Sequence, residues 1–96
     1  MKVEFSDYVE DDLEAIADYI ARDNPERALT FIREIRAEIR AIGRNPLLYR
    51  LRPEIGEDAR MAFRGRYVIL FRIADKRVRV ERVVYGGRDL APLLES

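Results

Sequence analysis

The chain has 96 residues, of which 48% are hydrophobic and 38% are charged, and it contains no histidine and no cysteine. This length suits one domain with one modest core, and the periodic apolar residues are typical of a folded protein. The absence of cysteine excludes disulfides and thiolate metal sites and fits a reducing cytoplasm. Neither a signal-peptide pattern nor a run of ~20 apolar residues is present. We therefore expect residues 1–96 to form one cytoplasmic domain without metal or cofactor.

The formal net charge is zero, but the two halves of the chain carry opposite charges. Residues 1–38 hold 11 acidic and 5 basic residues, whereas residues 39–96 hold 7 acidic and 13 basic residues. Sixteen of the 18 basic residues are arginine, whose planar guanidinium makes bidentate contacts with phosphate and carboxylate. The basic half is therefore either a surface for nucleic acid or an acidic partner, or a solvated surface that pairs with the acidic half.

A short strand at Val3–Phe5 and two helices are predicted for the first half of the chain. Asp7 and Glu10 have the spacing of a capping box that starts the first helix. Asn24 and Pro25 suit the cap and the first position of the second helix, and Gly43 suits its C-cap. Each helix carries one apolar stripe: Val9, Leu13, Ile16, Ala17 and Ile20 in the first, and Ala28, Phe31, Ile32, Ile35, Ile39 and Ile42 in the second. The short connection predicts an antiparallel helix hairpin.

The second half of the chain begins with an irregular stretch and continues as strands. Residues 44–58 contain two prolines and a glycine together with several apolar residues. This loop therefore either packs back on the core or docks a partner. Strands are predicted at Ala59–Phe63, Tyr67–Ile73 and Val78–Tyr85, as an antiparallel meander to which the N-terminal strand could add. Both faces of the middle strand are largely apolar, which favours a central position. Strict alternation in the last strand would place Val78, Val80, Arg82 and Val84 on one face.

These elements predict an α+β fold, with the N-terminal helix hairpin packed on a small antiparallel β-sheet. A short helical turn at residues 89–94 would form the C-terminal tail. The apolar stripes of both helices need a surface to bury them, and one face of the sheet is the only large apolar partner that the sequence offers.

The order and spacing of the elements resemble the ParE toxins of the RelE/ParE superfamily, which belong to bacterial toxin–antitoxin systems. The resemblance covers nearly the whole chain and is carried by Asp11-Asp12-Leu13, Ala17-Asp18-Tyr19-Ile20, Asp23-Asn24-Pro25-Glu26-Arg27-Ala28, Asn45-Pro46, Tyr67-Val68-Ile69-Leu70-Phe71-Arg72, and the segment from Arg82 to Leu90. It implies a RelE/ParE-like domain that acts as a cytoplasmic toxin and inhibits DNA gyrase. It also implies a hetero-oligomer with a ParD-like antitoxin, which binds DNA through a ribbon-helix-helix domain.

RelE toxins share this fold but cleave mRNA on the ribosome, so the chain must also be considered as an enzyme. General acid–base catalysis favours groups with a pKa near 7, and this chain has Tyr85 where many relatives have histidine. A ribonuclease could use Tyr85 with Arg64, Arg66, Arg72 and Arg82 as a phosphate clamp and Glu54 or Glu81 as the base. The tail after Asp89 lacks the aromatic and basic groups of RelE-type enzymes. We therefore expect a gyrase inhibitor, with the ribonuclease and a non-toxic, antitoxin-binding member as alternatives.

Two candidate binding surfaces follow from these hypotheses. The target-binding residues are predicted to be Arg60, Arg64, Arg66, Arg72, Arg82, Tyr85 and Arg88. Arg72 and Arg82 interrupt apolar strands and therefore need a partner or a wet face, although the set could also be solvated sheet charges and Tyr85 a packed strand residue. The antitoxin-binding residues, where a partner could bury apolar side chains, are predicted to be Leu47, Leu48, Tyr49, Leu51, Leu90, Leu93 and Leu94.

Overall fold

The computed structural model describes residues 1–94 and has two helices on one face of a four-stranded sheet. The elements are β1 (Lys2–Phe5), α1 (Val9–Ala21), α2 (Pro25–Arg44), β2 (Arg60–Arg64), β3 (Tyr67–Ala74), β4 (Arg77–Tyr85) and α3 (Ala91–Leu94), with a 3-10 turn at Pro46–Leu48. The predicted α+β fold, helix hairpin and short helical tail are confirmed. The predicted end of the domain at residue 96 lies outside the described residues. No helix in residues 1–94 is both long and apolar enough to span a bilayer.

The sheet has the strand order β1-β4-β3-β2. Strands β2, β3 and β4 form the predicted antiparallel meander, and β3 lies between two strands. Strand β1 pairs with β4 in the parallel direction, with Lys2 opposite Arg77 and Phe5 opposite Val80. The sequence allowed β1 to join the sheet but left its direction and its neighbour open. Because β1 ends opposite Val80, the second half of β4 has no strand on its outer side.

Apolar side chains cover both faces of the sheet. The larger cluster lies between the helices and the sheet: Val9, Leu13, Ile16, Phe31, Ile35, Ile39, Ile42, Ala62, Ile69, Phe71, Val78, Val80 and Val83. The smaller cluster lies on the opposite face, under the irregular loop and the tail: Ile55, Ala59, Val68, Leu70, Val84 and Leu94. Strand β3 is buried on both faces for this reason, as its apolar composition predicts.

A β-bulge interrupts β4. Leu70 pairs with Arg82 and Phe71 pairs with Val80, which leaves Glu81 as the extra residue. The strict alternation predicted for this strand is therefore wrong beyond Val80. Val83 belongs to the helix-facing cluster and Val84 to the opposite one. A bulge inserts one residue without a sequence signal such as glycine, so the period of two does not reveal it.

The start of α1 differs from the prediction, whereas the start of α2 confirms it. The Asn24 side chain accepts a hydrogen bond from the Arg27 amide at 3.0 Å, and Pro25 is the first helical residue. The predicted capping box at Asp7 is wrong: Tyr8 is the N-cap of α1, and its side chain makes no capping bond. Ser6 binds the start of the helix instead, since its hydroxyl accepts from the Tyr8 amide and its carbonyl accepts from the Val9 amide, each at 3.3 Å.

Gly43 is not the predicted C-cap but a buried residue inside the last turn of α2, which continues to Arg44. A Cβ atom at this position would lie 2.8 Å from Cγ2 of Val3 and 3.3 Å from the carbonyl oxygen of Met1. Glycine is needed here because it lets the helix approach the β1 segment closely.

We predict that Gly43→Ala destabilises the fold by about 1–3 kcal/mol, because the added methyl group overpacks the contact with Val3. In an exposed helix the same change would stabilise by about 1 kcal/mol. Urea unfolding followed by circular dichroism measures the difference. In a Val3→Ala background the cost should shrink, because the clashing atom is gone. A stabilised single variant would contradict the assignment.

Candidate functional site

Two polar side chains complete the outer edge of β4 beyond the end of β1. The Ser6 amide donates to the Val80 carbonyl at 2.9 Å, and the Ser6 hydroxyl donates to the Glu81 carbonyl at 2.5 Å. Further along, the Val83 amide donates to a carboxylate oxygen of Asp12 at 3.0 Å. The backbone groups of β4 that a further strand would otherwise pair are thus satisfied by Ser6, which precedes α1, and by Asp12 in its first turn.

The same Asp12 carboxylate binds Arg82 in a bidentate pair. Nε and Nη2 of Arg82 each donate to one Asp12 oxygen at 2.8 Å. The side chain of Asp12 is 9% exposed and that of Arg82 is 19% exposed. The Arg82 guanidinium also lies over the Tyr8 ring, 4.9 Å from its centroid. The hydrogen bonds that Arg82 donates to Asp12 raise the pKa of Arg82 above its ordinary value, and the bidentate pair holds α1 against β4.

A row of aromatic rings lies at the end of β4. Tyr85 is directly opposite Tyr67 in the sheet, and their rings meet edge to face with centroids 6.1 Å apart. The Tyr67 ring also packs against the ring of Phe31 in α2, with the centroids 5.6 Å apart. Burial raises the pKa of Tyr67, and the nearby phenols of Tyr19 and Tyr85 raise it further. Tyr67 is therefore the half-buried floor, whereas Tyr85 remains exposed to solvent.

These rings line an open cleft of about 620 Å³, which we call the tyrosine cleft and which is formed by Tyr19, Ile20, Arg27, Phe31, Arg66, Tyr67 and Tyr85. The helix hairpin supplies one wall and the strand ends supply the other. Arg27 lies over the Phe31 ring, 5.1 Å from its centroid, and is held there by Glu34. Within the described part of the chain no carboxylate lines the cleft, and its charged and polar side chains are phenols and guanidinium groups.

The glycine pair after β4 fixes the position of the Tyr85 ring. The Gly86 amide donates to the Arg66 carbonyl at 2.8 Å, which ties the strand end to the β2–β3 turn. A Cβ atom on Gly87 would lie 2.3 Å from Cε2 of Tyr85. A side chain at residue 87 would therefore displace the Tyr85 ring from its position in the cleft.

The structure brings together only part of the predicted target-binding set. Arg66 and Tyr85 share the tyrosine cleft, and Arg82 and Arg88 line the neighbouring groove beside Tyr85. The other three are engaged elsewhere: Arg60 donates to the Tyr49 carbonyl, Arg64 pairs with Glu34 at 3.0 Å, and Arg72 lies 3.7 Å from Glu81. Arg66, Tyr85 and Arg88 are the members of the set in this region whose side chains are exposed.

The predicted antitoxin-binding residues divide into two groups. Leu47, Leu48 and Leu51 are exposed. The tail leucines Leu90, Leu93 and Leu94 instead pack on the second face of the sheet. Tyr49 also points inward, because its ring meets Phe71 edge to face and its hydroxyl donates to Glu38 at 2.8 Å. Burial, followed by the bond to Glu38, raises the pKa of Tyr49 to about 12.

Sequence reasoning missed Asp12, Tyr19, Arg27 and Phe31 as site residues. A signal existed for three of them, because Tyr19, Arg27 and Phe31 lie on either side of the Asp23-Asn24-Pro25 hinge and an antiparallel hairpin brings such positions together. Asp12 carried no such signal. Its partners are about 70 residues away in sequence, and an acidic residue in the first turn of a helix is common.

The family comparison gives this geometry a context. The sequence matches the family described as ParE toxin of type II toxin-antitoxin system, parDE, over residues 3–90. The chain belongs to the ParE toxin family. No curated protein matches the sequence significantly.

Two solved toxin–antitoxin structures are similar in fold to this ParE toxin. A chain of the chromosomal ParDE system from P. aeruginosa is 23% identical, with a TM-score of 0.76, and the match covers 88% of this chain and 95% of that one. A chain of the toxin–antitoxin complex RelBE2 from Mycobacterium tuberculosis is 25% identical, with a TM-score of 0.57 and the same coverage of 88% and 95%. The fold is therefore shared with both of these chains, and the sequence match over residues 3–90 assigns the chain to the ParE toxin family.

We predict that Asp12→Ala lowers the free energy of unfolding by about 2–4 kcal/mol. The change leaves the Arg82 cation and the Val83 amide without their partner. Glu10→Ala is the matched control, since Glu10 also lies in the first turn of α1 and binds an arginine, Arg36, in an exposed pair. That change should cost no more than about 1 kcal/mol. Equal urea midpoints for the two variants would contradict a structural role for Asp12.

Proposed function

We propose that this ParE toxin inhibits DNA gyrase by binding and without catalysis of its own. We also propose that a ParD-like antitoxin with a ribbon-helix-helix DNA-binding domain neutralises it in a hetero-oligomer in the bacterial cytoplasm. The proposal rests on membership of the ParE family over residues 3–90. It is supported by the arrangement of the charged residues around Tyr85, which suits recognition better than RNA cleavage.

The observation that carries the choice of inhibitor over ribonuclease is that the required catalytic groups are dispersed. Arg82 is bound by Asp12 and Arg64 by Glu34. Glu54 pairs with Arg52 at 2.7 Å, and Glu81 lies beside Arg79 at 2.6 Å. Arg72 is opposite Arg79 in the sheet. Arg79 precedes Tyr85 by six positions along β4, so the backbone at Arg72 lies about 20 Å from the backbone at Tyr85. A base, an acid and a phosphate clamp would have to act within hydrogen-bond reach of one phosphate.

We assign the gyrase-binding surface to Arg66, Tyr85 and Arg88. Their side chains are exposed, and Gly86 and the β2–β3 turn hold Arg66 and Tyr85 next to each other. A tyrosine flanked by arginines has the composition of a protein-interface hot spot. Arginines at such a surface also attract an acidic or nucleic-acid-bearing target.

We predict that Arg66→Glu and Tyr85→Ala each weaken inhibition of gyrase supercoiling by about 10- to 100-fold, as interface truncations do. The measurement is the concentration of purified toxin that halves supercoiling of relaxed plasmid by gyrase. Arg33→Glu is the charge-matched control, because Arg33 is an exposed residue of α2 that does not line the cleft. It should inhibit like the unchanged chain.

The same toxin preparation also tests the ribonuclease alternative. If the folded chain leaves supercoiling unaffected at micromolar concentration but stops translation with cleavage of mRNA, the gyrase proposal fails. In that case Tyr85→Phe should slow mRNA cleavage by orders of magnitude rather than weaken binding.

We assign part of the antitoxin-binding surface to the exposed leucines of the irregular loop. Leu47, Leu48 and Leu51 are 66%, 77% and 47% exposed. Leu51 forms an isolated antiparallel bridge with Arg60, the first residue of the edge strand β2. Neighbouring apolar side chains beside a sheet edge suit a partner segment that buries them.

We predict that the double change Leu47→Ser with Leu48→Ser weakens binding of the antitoxin by at least about 10-fold, because two apolar anchors are removed. Calorimetric titration of the antitoxin into the toxin measures the affinity. Leu29→Ser is the control, since Leu29 has a similar exposure of 63% but lies in α2. Unchanged affinity of the double variant, or an equal loss with Leu29→Ser, would remove these leucines from the interface.

A further inference from the structure

The tyrosine cleft exposes more aromatic surface than the fold requires. Tyr19 is 63% exposed and Tyr85 is 49% exposed, and both line the same cavity as the half-buried Tyr67. The rings of Tyr67 and Phe31 pack against each other and belong to or border the helix-facing cluster, which includes neither Tyr19 nor Tyr85. Arg22 lies over one face of the Tyr19 ring, 5.8 Å from its centroid, so a flat ligand would stack on the other face of Tyr19 and on the exposed ring of Tyr85.

The charge of the cleft determines which kind of flat ligand fits. Among residues 1–94, its lining contains two guanidinium groups and no carboxylate, so it does not suit the cations that aromatic cages otherwise bind. Arg27 is occupied by Glu34, whereas Arg66 is exposed and pairs with no carboxylate in the part of the chain that the structure describes. The fitting ligand is therefore aromatic and anionic.

We propose that the tyrosine cleft binds a nucleoside phosphate, with the base stacked against Tyr85 and Tyr19 and the phosphate bound by Arg66. A base offers a π-face of the size of these rings, and stacking on aromatic side chains tolerates any base. A cavity of about 620 Å³ is within the range of small-molecule sites. The nucleotide is either free or an unstacked residue of a single strand, since both present the same chemistry.

The proposal goes beyond gyrase inhibition and is tested without gyrase. A failure of nucleotide binding would leave the inhibitor assignment intact, and a failure of inhibition would leave nucleotide binding intact. If both hold, Arg66 and Tyr85 contribute to the binding of a nucleotide as well as to the binding of gyrase.

The experiment is an NMR titration of the purified, isotope-labelled chain with three probes. AMP represents the free nucleotide, a ten-residue oligo-dT represents the single strand, and tryptophanamide represents an aromatic side chain of a protein. Saturable shifts are expected at the amides of Tyr19, Tyr67 and Tyr85 and at Nε–H of Arg66. Binding of AMP or oligo-dT should weaken with added salt, because a phosphate contact releases counterions.

Variants separate stacking from charge. Tyr85→Ala should weaken binding about 10- to 100-fold, and Arg66→Ala should weaken it and flatten its salt dependence. Gly87→Ala keeps every binding group but displaces the Tyr85 ring, whose atom Cε2 lies 2.3 Å from the new methyl position, so it should also weaken binding. Tyr8→Ala, which removes an exposed tyrosine outside the cleft, is the control and should bind normally. The amide spectrum of each variant reports whether it is folded.

Each probe gives a decisive outcome. Saturable binding of AMP supports a free nucleotide, and tighter binding of oligo-dT supports a single strand. Tryptophanamide binding that equals AMP binding, without salt dependence, would overturn the proposal in favour of a protein side chain. No saturable shift with AMP up to about 5 mM and none with oligo-dT would also overturn it.

Discussion

The Asp12 carboxylate is the contact on which the functional end of the molecule depends. It accepts two hydrogen bonds from Arg82 and one from the Val83 amide, at 2.8–3.0 Å. These bonds are made in the part of β4 that follows the bulge and extends beyond the end of β1. An unpaired strand end would fray or recruit another chain. Asp12 instead binds it to the first turn of α1, so the helix hairpin and the last strand keep one relative position.

The tyrosine cleft follows from that constraint. Its walls come from the hairpin and from the ends of β3 and β4, which have no covalent link near the cleft. Arg82, which the sequence suggested for target binding, holds these walls together, and the exposed cations beside Tyr85 are Arg66 and Arg88. Both oxygens of Asp12 are occupied by this partly buried bidentate pair, which leaves Arg82 little freedom to serve a ligand as well. Under the proposed function, this division assigns target recognition to Arg66, Tyr85 and Arg88, and stability to Asp12 and Arg82.

The sequence predicted what depends on local periodicity and local caps. The helical stripes, the Asn24-Pro25 start of α2 and the β meander are signals within a few residues, and they are confirmed. Contacts between distant segments were not predictable: the bulge at Glu81, the approach of Gly43 to Val3, and the pairing of Asp12 with Arg82. The candidate site was therefore only partly predicted. The sequence shows that arginine is abundant in the second half of the chain. It does not show which arginines are paired with carboxylates, because those carboxylates come near them only in the folded chain.

Amide hydrogen exchange across β4 tests the central claim, that Asp12 replaces the missing neighbour strand. The Val83 amide points to the outer edge of β4, where it has no neighbouring strand among the described residues. Without Asp12 this amide would therefore exchange nearly as fast as the amide of an exposed turn residue such as Lys76. The account predicts that the Val83 amide is protected to a level near that of Ile69 in the buried strand β3. Exchange of Val83 at the rate of Lys76 would contradict it.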